Sequence, residues 1–228
     1  MARILILGPP GSGKTTSLRD LDPKTTILFT PNKKAPSWRG GVADYTEGEN
    51  RFVTSNLNKL KVLLESVKEK RPGTKTLVVE DFSHYLTSAQ LDESFVANEG
   101  FKKWNIYSQQ IFSIIKLLTE TLDVENTILI HHTALDSKNV ESFASSGKLV
   151  DNLIKPASYY TYIYHSTIID KEDGSREYVF QTNFSNGKEA KTPLGLHEKL
   201  YLPNNVVDII KTIKTYENSE EPQELPTT

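Results

Sequence analysis

The chain contains no cysteine. That excludes a disulfide framework, a thiol nucleophile and a cysteine-ligated zinc site, and it makes a reducing compartment the expected setting. No apolar run approaches the roughly 20 residues that a membrane-spanning helix needs. The opening MARILILG carries one arginine and an apolar stretch too short for an export signal, so no membrane partner and a cytoplasmic location are expected. An excess of one charge sign is also missing: 27 Lys and Arg face 29 Asp and Glu, for a net charge of −2. The global field therefore draws in no polyanion, and a nucleic-acid contact would need a local basic patch. No internal repeat is visible.

What is present fits one α/β domain of 228 residues. Arg3 to Leu7 is a continuous apolar run of the kind that fills a central parallel strand. Further strands are expected at 25–30, 76–79 and 127–130. Between them, Leu57, Leu60, Leu64 and Val67 recur at helical spacing, with Ser55 as N-cap and Arg71-Pro72-Gly73 as stop. Trp104, Tyr107, Ile111, Ile114, Leu118 and Leu122 share one face of a longer helix. Strands alternating with helices imply a mostly parallel sheet flanked by helices. After residue 158 two β-branched and aromatic runs flank Lys171 to Ser175, whose Asp173-Gly174 pair signals a C-terminal antiparallel hairpin. A last helix is expected over 205–216, which closes the domain at 1–216. Residues 217–228 hold four glutamates, two prolines and no basic residue, so they read as a disordered acidic tail, passive or open to a protein partner.

Gly8 to Thr15 reads GPPGSGKT. The pattern G-x-x-x-x-G-K-[ST] arises by chance roughly once in a hundred chains of this size at ordinary Gly and Lys frequencies, and here it joins an expected strand to an expected helix, 14–21. Glycines at 8, 11 and 13 let backbone N–H groups turn inward around a phosphate, and a helix N-terminus adds partial positive charge. Pro10, Gly11, Ser12, Gly13, Lys14, Thr15 and Thr16 are thus candidates to cradle ATP. Lys14 would reach the β- and γ-phosphates, the Thr15 hydroxyl would ligate Mg²⁺, and Thr16 would lie near the α-phosphate. The metal also needs a carboxylate at a neighbouring strand end. Leu77-Val78-Val79-Glu80-Asp81 supplies one, with Asp81 expected at the metal. Strand alternation argues that Glu80 and Asp81 face different ways.

These residues resemble the RecA-like P-loop ATPase core, and more narrowly the phage ATPases of the AAA_24 type that include RecA-like single-strand annealing proteins. The likeness covers most of residues 2–214. It is carried by the P-loop, LVVEDFSH, ILIHHTAL, Ser146-Gly147-Lys148-Leu149 before a tyrosine-rich strand, and the late run from Glu189 to Leu196. The resemblance implies a γ-phosphate sensor at His132 or His131 and a lysine acting in trans at Lys191, or else Lys188. It also implies homo-oligomers and single-stranded DNA held by loops at 86–103 and 135–155, where Phe95, Phe101, Trp104 and Phe143 mix with lysines. One departure stands out. The acid that would activate water is missing after the second strand, which reads Thr30-Pro31-Asn32, so Glu80, Glu47 or Glu49 takes the role, or Asn32 only positions water, or turnover is slow.

The resulting expectation is an ATP-hydrolysing protein of phage-type recombination or annealing. The alternatives are a nucleotide or small-molecule kinase and an ATP-dependent binding module with little turnover. The kinase is disfavoured by six scattered arginines in place of an arginine-rich lid.

Overall fold

The computed structural model describes residues 1–97, 100–136, 138–145 and 149–219. The strands are β1 (Ala2–Gly8), β2 (Thr26–Thr30), β3 (Arg51–Val53), β4 (Thr76–Val79), β5 (Asn126–Leu135), β6 (Glu141–Phe143), β7 (Tyr162–Asp170), β8 (Arg176–Gln181) and β9 (Tyr201–Pro203). The helices are α1 (Gly41–Asp44), α2 (Leu57–Lys70), α3 (Phe82–Leu91), α4 (Glu93–Ala97), α5 (Lys102–Lys116) and α6 (Val206–Glu217). The sheet order is β3-β2-β4-β5-β1-β7-β8-β9, with β6 pairing β5. The pairs from β3 through to β7 are parallel, whereas β7–β8 and β8–β9 are antiparallel. The mostly parallel α/β sheet and its C-terminal hairpin are as expected, and β3, β6 and β9 are additions.

β1 lies in the middle because every one of its residues from Ile4 to Leu7 is apolar and fully buried. Alternation sends Leu5 and Leu7 into the core under α2, α3 and α5, and Ala2, Ile4 and Ile6 into the core under α6. Burying such side chains contributes about 1.5–3 kcal/mol each, so β1 ends in a rigid position at Gly8. The helices follow their periodicities. α2 buries Leu57, Leu60, Leu64 and Val67, but its N-cap is Asn56, whose side chain accepts from the Lys59 N–H at 3.0 Å, rather than Ser55. α5 buries Tyr107, Ile111 and Ile114 and runs on as a wider turn through Leu117–Thr121.

Three local expectations fail. The helix over 14–21 is a single tight turn, Thr16–Leu18. β5 does not stop at the histidines: it continues to Leu135 because β6 folds back to pair Thr133, Ala134 and Leu135. Much of the supposed DNA loop at 86–103 is helix, α3 and α4. The tail boundary also shifts, because Glu217 closes α6 and its carboxylate accepts from the Met1 amine and from the Tyr162 hydroxyl. Residues 220–228, the rest of that tail, lie outside the described residues. Among the described residues no helix is long and apolar enough to cross a membrane.

Candidate nucleotide-binding site

The site forms where parallel strands end together. In register, Gly8 of β1 stands beside His132 of β5 and Leu7 beside His165 of β7, while β4 ends one strand further along at Val79. One strand thus separates the loop strand from the carboxylate strand, roughly two spacings of about 4.8 Å.

The loop from Gly8 to Thr15 is held from behind by groups that sequence reasoning missed. The Ser166 hydroxyl donates to the Ser12 carbonyl at 2.6 Å, and Asn204 Nδ2 donates to Ser166 Oγ at 3.3 Å. At Gly8 (φ +149°) a Cβ would sit 2.5 Å from the Ser166 carbonyl oxygen; at Gly13 (φ +94°) it would sit 2.8 Å from the Tyr178 ring. Side chains are therefore excluded at both positions by neighbours as well as by φ. The backbone N–H groups of Gly13, Lys14 and Thr15 donate to no described residue, and Ser12 Oγ is buried without a partner. Unpaired donors in a glycine-walled cradle suit a phosphate group. The single turn after the loop contributes less dipole than the expected helix would.

Lys14 is only 5% exposed. Its ammonium donates to the carbonyls of Gly8 and Pro9, both at 2.7 Å, and to His132 Nδ1 at 3.1 Å. Burial pulls its pKa down to about 8, against the opposing pull of Asp81 and Glu80. His132 Nε2 lies 3.4 Å from Asp81 Oδ1. With Lys14 donating to Nδ1, the ring takes the Nε2–H tautomer and turns that N–H side toward the Asp81 carboxylate. Burial, then the Lys14 charge, keeps this imidazole below the ordinary histidine range, so it is neutral at pH 7.

The two carboxylates change places. The Thr15 hydroxyl donates to Glu80 Oε1 at 2.5 Å, whereas Asp81, expected at the metal, meets His132. Alternation fails here because the strand has already ended at Val79, and Asp81 sits in the left-handed region at φ 52°, ψ 53°. That turn brings both acids to one site. Burial raises the Glu80 pKa, with the Thr15 hydrogen bond opposing. One hydroxyl and one carboxylate suit magnesium, which keeps several waters and takes phosphate oxygens for the rest. Among the described residues no larger cluster of acids and histidines could hold a metal by itself.

The remaining candidates scatter. His131 is fully buried away from the loop, between Ser83 Oγ at 3.1 Å and the Ala144 carbonyl at 2.8 Å, with Phe143 stacked at 3.8 Å. It is a core residue, and only His132 reaches the site. Thr16 turns outward, donating to the Ser37 carbonyl at 3.4 Å. Pro10 and Gly11 are exposed on the loop. Lys191 pairs its backbone with Ile163 at the level of Leu5, away from the loop end, and Lys188 Nζ is tied to Thr167 Oγ1 at 2.6 Å. Glu49 lies by Thr25, Thr26 and Thr74, where the strands begin, at the opposite end of the sheet from the loop, and the Glu47 backbone forms a parallel β-bridge with Arg51 at the start of β3. Glu49 is therefore not placed to activate water. Asn32 Oδ1 is engaged by the Lys34 N–H at 3.0 Å.

The aromatic residues proposed for DNA are mostly occupied. Phe95, Trp104 and Tyr107 pack edge to face on one another, and Phe143 is stacked on His131. Phe101 alone of that set is widely exposed. Ser146, Gly147 and Lys148 lie outside the described residues. Comparison with protein-family models gives no match, and comparison with curated proteins gives none either.

Proposed function

We propose that this chain binds ATP with magnesium in the Gly8–Thr15 loop and hydrolyses it, as a RecA-like ATPase would. The observation that carries the reading is the convergence of Lys14, Thr15, Glu80, Asp81 and His132 on one end of a parallel sheet. In this reading Lys14 exchanges its two loop carbonyls for β- and γ-phosphate oxygens. Thr15 and Glu80 hold the metal and its water shell, and the metal supplies charge neutralisation at the phosphates. Asp81, oriented by His132, takes the proton of the attacking water. In that step a bond forms from the water oxygen to the terminal phosphorus, and the bond to the bridging oxygen breaks with its electron pair leaving on ADP. Glu80 and Asp81 thereby make up for the acid missing after β2.

The resemblance supplies the polymer: single-stranded DNA, in recombination or annealing, with subunits assembled as homo-oligomers. Phe101 with Lys102 is the exposed aromatic and basic pair left to support it. A second reading, an ATP-dependent binding module with little turnover, is favoured by the absence of an acid after β2. Steady-state ATP hydrolysis with and without single-stranded DNA separates the two. Stimulated turnover supports the first, and tight Mg²⁺-dependent binding without turnover supports the second. Phosphoryl transfer to an added acceptor would revive the kinase.

A further inference from the structure

The segment after β2 has no regular structure until α1, yet its first turn is clamped. Arg51, the first residue of β3, is 7% exposed. Its Nη2 donates to the Lys34 carbonyl at 2.5 Å and to the Asn32 carbonyl at 3.4 Å. The Thr30 hydroxyl donates to the same Asn32 carbonyl at 3.0 Å, and the Lys34 N–H closes a turn onto Asn32 Oδ1 at 3.0 Å. The Arg51 Nε is buried without a partner. A buried guanidinium whose donors are spent on two carbonyls of one turn has the fixing of that turn as its task.

That task is visible in where the clamped turn lies. β2 borders β4, and the Glu80 N–H donates to the Phe29 carbonyl at 2.9 Å, so residues 31–34 leave the sheet directly beside the carboxylates. Lys34 itself is exposed. The charges acting on Glu80, after burial and the Thr15 bond, are Asp81, then Arg51 and Lys34, and Lys34 also acts on His132. Lys34, exposed on this clamped turn, therefore brings its charge to the site from the β2 side, next to the strand that ends in the carboxylates.

We propose that Lys34 is a cation supplied in cis to the terminal phosphate, with Arg51 as the positioning residue that fixes its turn. This rests on the ATP reading above and extends it. It moves the lysine role from Lys191 in a neighbouring subunit to Lys34 in the same chain. Lys34 would lie against the oxygens on which negative charge concentrates as the bridging bond breaks, where one donor is worth roughly 10²–10³ in turnover.

The test compares wild type with Lys34→Ala, Lys34→Arg and Arg51→Gln. Two readouts are used: affinity for a non-hydrolysable triphosphate against the diphosphate, and turnover. Lys34→Ala is expected to weaken the triphosphate about tenfold, leave the diphosphate unchanged and cut turnover about a hundredfold. Lys34→Arg should retain most of both, and Arg51→Gln should reproduce the same triphosphate-selective loss, additive with Lys34→Ala by no more than a small factor. Mixing Lys34→Ala subunits with Lys14→Ala subunits should restore no activity, because both residues serve the same chain's nucleotide. An unchanged triphosphate-to-diphosphate ratio in Lys34→Ala overturns the inference even if wild type binds without turning over. Recovery of activity on mixing overturns the cis assignment. Wild type that binds neither nucleotide overturns the ATP reading itself, and the inference with it.

Discussion

The Thr15 hydroxyl donates to Glu80 at 2.5 Å across 65 residues of sequence. Asp81, the next residue, turns through the left-handed region to meet His132. Adjacent carboxylates therefore take separate duties. Glu80→Gln should raise the Mg²⁺ concentration needed for half-maximal turnover by about tenfold, and Asp81→Asn should lower kcat about a hundredfold at unchanged Mg²⁺ dependence. Magnesium titrations of turnover for the two variants check this; matching profiles would contradict the division.

Lys14 carries a pH signature. Its pKa is lowered by burial to about 8 in the free protein, and phosphate oxygens stabilise the charged form. Nucleotide affinity should therefore hold up to pH 8 and then fall by about tenfold per pH unit, because the charge must be restored on binding. Fluorescent-nucleotide titrations between pH 7 and pH 10 measure it. A flat profile to pH 10 would mean that Lys14 does not face the phosphates.

The two walled glycines should respond differently to a methyl group. Gly8→Ala drives Cβ against the Ser166 backbone carbonyl, which has no room to yield, and should cost about 3 kcal/mol or more in urea unfolding. Gly13→Ala meets the half-exposed Tyr178 ring. Adding Tyr178→Ala should recover part of the second loss and none of the first.

Much of this was legible in the chain itself. A glycine-lysine-threonine pattern after an apolar run located the loop, leucines at helical spacing located α2, and Asp173-Gly174 located the hairpin between β7 and β8. The rest depends on contacts distant in sequence. Ser166 and Asn204 brace the loop from 154 and 38 residues away from their partners, Ser12 and Ser166 respectively. Period-two reasoning placed Glu80 and Asp81 on opposite sides, and a single left-handed residue undid it. Nothing in the sequence marks Arg51; only pairing with β2 shows that it opens a strand and is buried. The paired histidines gave no sign of which ring faces the core, a choice decided by Phe143 and Ser83.

His131 bears on acid stability. Burial lowers its pKa from 6.5 to about 3, so the unfolded chain binds the proton and the folded one does not. Its contribution is complete above pH 6.5 and is lost as the pH falls toward 3, amounting to about 2 kcal/mol at pH 5. Urea unfolding at pH 7 and pH 5 should show a loss larger by that amount in wild type than in His131→Gln. Equal losses would contradict a buried neutral ring.

The most direct test is equilibrium binding of ATP to wild type and Lys14→Ala, each with magnesium and with EDTA, with folding verified by circular dichroism. The expected result is binding by wild type that weakens at least tenfold without magnesium, and none measurable for folded Lys14→Ala. Equal binding by both proteins, or no binding by wild type with magnesium present, would contradict a nucleotide site at Gly8–Thr15.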